Sequence, residues 1–524
     1  RIQKDAKKRK IFNKFFKLLK KINNKFLFCS IPFLLGIFSS FSLPPYNLFI
    51  LNFLTFPMFL IFFLNNFKKK SFESFLIGWL FGFGYFISNI YWITNSLTFE
   101  EIFKPLIPIA LVLIPLFLGL FYGLATYICS FFNLGRSYSS ILIFASMLSI
   151  VEFIRGTILS GFPWNLIAYS WVKYNEFLQI LAFIGTYAFN LLSITLFLLP
   201  VIILFKNSLR SKLILIFFST FLAGTNFYYG QTVKNKYNKL DSINLNTTIK
   251  IISPKIKIDR FFQNEDPYII INELIKLSKP DDENTIFIFP EGILAGIFLE
   301  DIKIYKKIFN ENFSKNHKIL LGINSNENSK IYNSMVVLDN NLKVLAKYNK
   351  NKLVPFGEFL PFENIFTKIG LKKITQGYIS FSSANDRKIL VIEKIKFLPL
   401  ICYEIIYSGK INKNNEEFDF IINISEDGWF GNSIGPHQHF SHSIFRSIEE
   451  GKNLIRSTNG GISAYVDAAG NVINKVKSTD KGVIEVKSYK KTSKTFFGSH
   501  GNKIFFYFLI FYITLFFFIK KTGR

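Results

Sequence analysis

The chain has 524 residues and three cysteines, of which one stands in a polar context. Cys29 and Cys129 lie inside long apolar runs, where a thiol is a packing group. Cys402 ends the strand-like run FLPLI and is followed by Tyr403 and Glu404. A thiol becomes a nucleophile when a base takes its proton and a fixed donor meets the oxyanion that forms. Taken alone, a strand-end cysteine is more often inert than catalytic. Histidine is the usual base, and five are available: His317, His437, His439, His442 and His500. None stands beside a strand end in a pairing motif. His437, His439 and His442 form HxHxxH, a spacing that suits a metal. Ligating cysteines or carboxylates at metal spacing are absent nearby, so helix packing and surface roles are favoured, and neither metal nor cofactor is expected. Carboxylates offer another route. Glu291 directly follows the apolar run IFIFP, and a carboxyl at the exposed end of a strand can be raised in pKa and act as a base. In isolation, a turn or helix-start carboxylate is the favoured reading. Lys350 lies just before LVPF, and Glu358 follows in the same segment, YNKNKLVPFGEF. A lysine on a strand edge suits an oxyanion, although one cation among 63 Lys and Arg says little by itself.

Positioning these groups requires strands. IFIFP (286–290), KILLGI (318–323), SMVVLDN (334–340), FLPLICYE (397–404) and FDFIINIS (418–425) read as strands, several of them continuously apolar. Continuous runs suit strands covered on both faces. Segments 267–278 and 437–455 show helical spacing. The region 231–500 is therefore predicted to be an α/β domain with helices outside two sheets, an αββα sandwich. The rest of the chain is different in kind. Hydrophobic residues make up 50% of the sequence and Phe occurs 65 times. Seven apolar spans precede residue 231, at 27–43, 48–65, 75–94, 106–132, 139–155, 177–205 and 212–228, and an eighth covers 503–519. Each is long enough for a hydrocarbon core of about 30 Å. Residues 1–230 are thus expected to form a membrane domain and 501–524 a final transmembrane helix with a short tail. Residues 1–25 read as a basic amphipathic helix or a solvated cationic tail, and 27–43 as a retained span, not a cleaved signal.

The formal net charge is +28. Such a balance can indicate nucleic acid, but here Lys and Arg flank apolar blocks, which points to a bilayer and its anionic lipids and away from nucleic acid. With eight spans, the basic segments 1–25, Lys68 to Lys70, Arg136, Lys206 to Lys212 and 520–524 all fall on one side. By the positive-inside rule that side is the cytoplasm, and 231–500 faces outward. Within span 139–155, Glu152 and Arg155 are spaced i, i+3. A structural ion pair is the favoured reading over contact with a lipid headgroup.

Glu291 in PEG, Lys350 in YNKNKLVPFGE and Cys402 in ICYE occur in that order, each at the end or edge of a predicted strand. This resembles the Glu-Lys-Cys triad of the nitrilase (carbon–nitrogen hydrolase) superfamily. GINS, IYNSMVVLD (331–339), NISEDGWFG (423–431), PHQHF (436–440) and EEGKNLIRSTNGGISAYVDAAG (449–470) look like segments of the same domain. LVPFGEFLPF, GFPWN (161–165) and VEFIRG (151–156), joined to a polytopic N-terminal half and one C-terminal span, are similar to the apolipoprotein N-acyltransferase family. One departure is Glu426, where many family members carry Asn in a segment like NISNDAWFG.

The resemblance implies an enzyme of the bacterial inner membrane that moves an acyl chain from a phospholipid, phosphatidylethanolamine in the family, to the α-amino group of the S-diacylglyceryl cysteine of an apolipoprotein. Cys402 would carry the acyl group as a thioester, Glu291 would move protons, and Lys350 with a backbone N–H would hold the oxyanion, in a ping-pong scheme. Glu358 would hold Lys350 or orient the amine. Glu404 supports the site in the family, and it would share a strand face with Cys402 if the strand continued. Tyr403 and Trp429 would line the acyl or headgroup pocket, with core packing an equal alternative. Trp164 would be an interfacial anchor or a lid over the acyl entrance. Two other classes compete. A membrane-tethered amidase would not need seven preceding spans. A transporter with an inactive domain would need intramembrane charges along a path, and these are few.

Overall fold

The computed structural model describes residues 24–205, 207–263, 266–361, 363, 380–412 and 414–522. The basic segment 1–23, Lys206 and the last two residues, which enter the charge argument, lie outside the described residues.

The apolar runs fold as strands, and their alternation divides two interiors. In chain order the strands are β1 (Ile243–Ser253), β2 (Thr285–Ile288), β3 (His317–Glu327), β4 (Lys330–Leu338), β5 (Val344–Asn349), β6 (Leu390–Ile392), β7 (Ile395–Ile401), β8 (Phe420–Glu426), β9 (Asn453–Asn459), β10 (Ser463–Val466), β11 (Val472–Val476) and β12 (Gly482–Tyr489). They form two six-stranded sheets, ordered β12-β1-β2-β3-β4-β5 and β11-β10-β9-β8-β7-β6. The central pairs β1/β2, β2/β3, β7/β8 and β8/β9 are parallel. In β2, Ile286 and Ile288 enter the space between the sheets while Phe287 faces outward. In β8, Phe420, Ile422 and Ile424 face inward and Ile421 faces the other way. Both faces are buried, which explains the continuous apolar sequences.

The outward faces meet different neighbours. The first sheet is covered by Ile270, Ile271 and Leu274 of the helix Pro267–Ser278 and by Phe309 and Phe313. The second sheet, through Leu398, Leu400, Ile421 and Leu454, belongs to the same apolar core as Phe56, Phe81 and Phe197 of the membrane half. The expected helix at 437–455 runs from Gly435 to Glu450 instead. Gly451 caps it at φ +63°, a left-handed conformation that glycine adopts without strain, and β9 begins two residues later.

Among the described residues, seven helical stretches are long and apolar enough to cross a membrane: Phe49–Asn66, Phe72–Thr98, Glu101–Cys129, Tyr138–Arg155, Leu181–Leu204, Leu209–Asn238 and Lys503–Lys521. The first expected span folds as the shorter helix Lys25–Ser40. The helix Leu209–Asn238 runs on through residue 230, and β1 starts at Ile243. Glu152 and Arg155 do not pair. Glu152 accepts from Tyr122 Oη at 2.7 Å and from Asn190 Nδ2, whereas Arg155 Nη1 donates to the carbonyls of Phe162 and Trp164, at 2.5 and 2.8 Å. Side chains from other helices reach the carboxylate first, and the guanidinium caps the GFPWN turn.

Gly185 breaks the helix Leu181–Leu198 with φ +73°. The kink frees the N–H of Thr186 from the helical ladder. Glu449 Oε1, from the Gly435–Glu450 helix, accepts that N–H at 2.7 Å, the Thr186 hydroxyl at 2.6 Å and Ser408 Oγ at 2.7 Å. A Cβ at residue 185 would lie 1.9 Å from the Phe497 ring. Gly185→Ala should therefore destabilise the protein by about 1–3 kcal/mol through overpacking and left-handed strain. Thermal unfolding in detergent should show a lowered midpoint, partly restored by adding Phe497→Ala. An unchanged midpoint would contradict the kinked helix.

Candidate active site

Pro290 has no N–H to extend β2, so the chain leaves the sheet there and presents Glu291. The approach is close: a Cβ at Gly322 of β3 would lie 2.5 Å from Glu291 Cα, so the neighbouring strand needs glycine at that crossing. Lys350 follows the last residue of β5, and its backbone N–H is fixed by the Asn333 carbonyl at 2.8 Å.

The side chains then close a buried square. Lys350 Nζ donates to Glu291 Oε1 at 3.0 Å and to Glu358 Oε1 at 2.9 Å. Asn333 Nδ2 donates to the same two oxygens, both at 2.7 Å. The outer oxygens are held by backbone: Glu426 N–H to Glu291 Oε2 and Val354 N–H to Glu358 Oε2, each at 2.9 Å. The Lys350 side chain is 1% exposed. Burial opposes its charge, but Glu291 and Glu358 outweigh burial and hold its pKa well above the ordinary lysine value. Lys350 is a fixed cation.

Cys402 stands where β7 turns into a 3-10 helix, Cys402–Ile406, with φ +50°. A left-handed cysteine costs on the order of 1–3 kcal/mol and persists where its surroundings fix it. Here Asn423 Nδ2 donates to the Leu400 and Cys402 carbonyls at 3.2 and 3.4 Å. Arg456 bonds Asn423 Oδ1 and reaches Asp427 at 2.8 Å, and Asp427 bonds His439 Nδ1 at 2.9 Å. Burial raises the Asp427 pKa, yet Arg456 and His439 outweigh it and hold this carboxyl well below the usual range. Burial, then the charge of Glu291, push the Cys402 thiol well above its ordinary pKa, while Lys350 pulls it down. The resting cysteine is a protonated thiol, partly buried, within the field of both Glu291 and Lys350.

Glu404 departs from expectation. The strand stops at Ile401, so Glu404 does not share a face with Cys402. Its carboxylate turns back to accept from Ile401 N–H at 2.8 Å, Asn351 N–H at 2.9 Å, Lys352 N–H at 3.1 Å and Tyr348 Oη at 2.6 Å. Arg387 Nη2 completes the set at 2.9 Å. Glu404 thus ties the turn after Cys402 to the segment after Lys350. Tyr403 is buried, and its hydroxyl donates to the Gly161 carbonyl in the membrane half at 2.7 Å. Trp164 is 1% exposed, so it is not an interfacial anchor. Its indole N–H donates to Gln438 Oε1 at 2.9 Å, and its ring packs on His439 and His442. The turn that carries Trp164 folds beneath the Gly435–Glu450 helix. Trp429 is partly exposed and stacks on Phe261. Among the described residues no group of three or more His, Cys, Asp or Glu side chains gathers as a metal site.

Sequence reasoning missed Asn333 and Arg387. Asn333 lies in the segment IYNSMVVLD, where an asparagine in an apolar strand was a usable signal of buried hydrogen bonding. Arg387 sits in the polar run SSANDRK and offered none.

Residues 35–199 match the family described as apolipoprotein N-acyltransferase N-terminal domain, and residues 285–488 match carbon-nitrogen hydrolase. An apolipoprotein N-acyltransferase of Brucella melitensis is 29% identical over 479 residues, which covers 86% of this chain and 88% of the relative. One of Rickettsia prowazekii is 33% identical over 435 residues, covering 81% of this chain and 85% of the relative. A solved carbon–nitrogen hydrolase superfamily protein from Xanthomonas campestris overlays at a TM-score of 0.33 and 12% identity, over 47% of this chain and 91% of its own. With its polytopic apolar half and its two-sheet hydrolase-type domain, the chain belongs to the apolipoprotein N-acyltransferase family.

Proposed function

We propose that this acyltransferase works through Cys402 as nucleophile, Glu291 as general base and acid, and Lys350 as oxyanion donor. The observation that carries the reading is a buried Lys350 held by two carboxylates, Glu291 at 3.0 Å and Glu358 at 2.9 Å, with the Cys402 thiol in the field of Lys350 and Glu291. Glu291 takes the thiol proton as sulfur attacks the acyl ester carbonyl of a phospholipid, phosphatidylethanolamine in this reading. Lys350 has a third N–H beyond its two carboxylate bonds, and it meets the tetrahedral oxyanion together with a backbone N–H. The C–O bond breaks, Glu291 returns the proton to the leaving alkoxide, and lysophospholipid departs from a Cys402 thioester. The α-amino group of an S-diacylglyceryl apolipoprotein then attacks the thioester. Glu291 takes the amine proton, the C–S bond breaks, and Cys402 leaves as thiol. Cys402 packs against the apolar core that continues into the membrane half, which suits an acyl donor arriving from the bilayer and limits hydrolysis.

Glu358 positions Lys350, and Glu404 positions both the nucleophile turn and the lysine segment. Tyr403 and Trp164 then act through the contact between the two halves, and Trp429 lines the mouth. The membrane domain reaches the end of the helix Leu209–Asn238, the catalytic domain follows from β1 to residue 500, and 501–524 form the closing span with its cytoplasmic tail. The enzyme sits in the inner membrane with the catalytic domain on the periplasmic side, where exported lipoproteins present their amines.

Cys402→Ser should insert and fold but lose transfer by on the order of a thousandfold or more, because a carboxylate cannot activate a hydroxyl as it does a thiol. Acylation by purified Cys402→Ser would refute the assignment, since no other cysteine lies in the catalytic domain. Lys350→Arg should also be inactive, because a planar guanidinium misplaces the donor. Thiol alkylation against pH separates the other two roles. Lys350 lowers the Cys402 pKa and Glu291 raises it. Alkylation of Lys350→Met should therefore need higher pH than wild type. Glu291→Gln should be alkylated at lower pH while losing transfer. Equal profiles in all three proteins would contradict the arrangement.

Topology is tested with reporters fused near residue 240, between the helix Leu209–Asn238 and β1. A reporter active only outside the cytoplasm should give signal. Silence there, with signal from a cytoplasmic reporter, would put Cys402 on the wrong side.

A further inference from the structure

Glu426 is 2% exposed at the end of β8, and the chain places a charge there without leaving it unmatched. Arg260, on the short turn Ile258–Phe261 after β1, has a side chain that is 0% exposed and donates Nη2 to Glu426 Oε2. The same Nη2 donates to the Gly292 carbonyl at 3.1 Å, and Nη1 to the Lys257 carbonyl at 3.0 Å. The guanidinium lies over the Phe261 ring, 4.4 Å from its centroid. The Glu426 carboxylate is otherwise filled by Gly428 N–H at 2.9 Å and by Asn459 Nδ2 at 3.1 and 2.9 Å. Asn459 in turn exchanges two hydrogen bonds with the backbone of Ile256, at 2.7 and 2.8 Å. These contacts converge on one neighbour. Glu426 N–H holds Glu291 Oε2 at 2.9 Å, and Gly292 is the residue directly after Glu291.

We propose that Arg260 and Glu426 form a positioning clamp on the catalytic carboxylate, with one guanidinium fixing both the backbone that follows Glu291 and the residue whose N–H orients its outer oxygen. The inference rests on the reading of Glu291 as base. The clamp has two effects. It leaves Oε2 with a single backbone donor while Oε1 carries Lys350 and Asn333, so Oε2 is the oxygen with lone-pair capacity for the thiol proton. It also governs the charge beside that oxygen: burial pushes the Glu426 carboxyl's pKa up and Arg260 opposes that rise, and the ionised pair adds no net charge there. The charged and titratable groups around Glu291 are Lys350 and Glu358 from the segment after β5, Cys402 from the end of β7, Glu426 and Asp427 from the end of β8, and Arg260 from the turn after β1. Asp427 is matched by Arg456 at 2.8 Å. Unmatching Glu426 or Arg260 would therefore shift the local charge by one unit, with opposite signs for the two residues.

The test is the single-turnover rate of acyl loading on Cys402, followed by intact mass over a pH series, for the full-length enzyme in phosphatidylethanolamine-containing vesicles. Glu426→Gln leaves an unmatched guanidinium against the backbone that follows Glu291. Its acid limb should move down by about one pH unit and its plateau should fall on the order of tenfold. Arg260→Met removes the cation that opposes burial at Glu426, and above the raised pKa of that carboxyl the lone carboxylate should move the acid limb up. The double variant removes both charges and should return the limb to within about half a unit of wild type. Slower loading with limbs that stay put, or that move the same way in both single variants, overturns the clamp and leaves a merely structural pair. If a single variant fails to fold, Arg260→Lys decides. It keeps the charge and loses the rigid fork, so the limb should stay while the plateau falls, and an unchanged plateau overturns the proposal. Glu291→Gln separates the two readings. Retention of the acid limb in that variant removes the base assignment itself. Its loss, together with unmoved limbs in the Arg260 and Glu426 variants, removes only the clamp.

Discussion

A lysine ammonium withdrawn from water is the constraint around which the catalytic region is organised. Burying an ion costs several kcal/mol even after relaxation, and Lys350 meets that cost with two carboxylates and not one. One cation between two anions leaves a surplus negative charge. The two carboxylates hold the lysine's proton, and burial together with the charge of Glu291 keeps the Cys402 thiol protonated at rest. In the proposed mechanism, proton transfer from Cys402 to Glu291 moves a proton within the cluster without changing its total charge. Each other buried anion nearby already has a cation, Glu404 with Arg387, Asp427 with Arg456 and Glu426 with Arg260. Around Cys402 the unmatched carboxylate therefore lies in the Glu291–Lys350–Glu358 cluster.

The sheets deliver these groups to one edge. In one sheet Cys402 follows β7 and Glu426 ends the parallel neighbour β8, so their carboxyl ends lie on a common side, and Glu426 N–H bonded to Glu291 Oε2 joins them to the end of β2 in the other sheet. The two sheets meet through an apolar interior, so strand ends from different sheets arrive together without crossing it. Lys350 reaches the same edge because β5 runs antiparallel to β4, which itself runs antiparallel to β3.

Much of this was legible because strand ends combine apolar runs with abrupt polar residues, as in IFIFPEG and FLPLICYE. The reading failed where a choice depended on partners distant in sequence. Glu404 shares a face with Cys402 only if the strand continues, and the strand ends at Ile401 before the left-handed Cys402 turns into a 3-10 helix. Glu152 and Arg155 have helical spacing for a pair, but Tyr122 and Asn190 come from other helices and fill the carboxylate. Glu426 raised a question of local charge that only Arg260, 166 residues away, answers. Asn333 was visible only as one letter in a strand. Its role lies in donating two hydrogens to two acceptors that local sequence cannot bring together.

The helix Gly435–Glu450 joins these levels. Its side chains reach both halves of the protein. Gln438 accepts from the indoles of Trp92 and Trp164, at 3.2 and 2.9 Å. His439 bonds Asp427 behind the nucleophile turn. Arg446 donates to the Ile406 carbonyl at 3.1 Å and to Thr186 at 2.6 Å, and Glu449 caps the break at Gly185 while holding Ser408. Ile406 and Ser408 belong to the turn that begins at Cys402. A shift of the kinked membrane helix would therefore be felt through two side chains at the base of the nucleophile turn. The membrane half is thus part of the framework that holds a strained cysteine in place, and not an anchor alone.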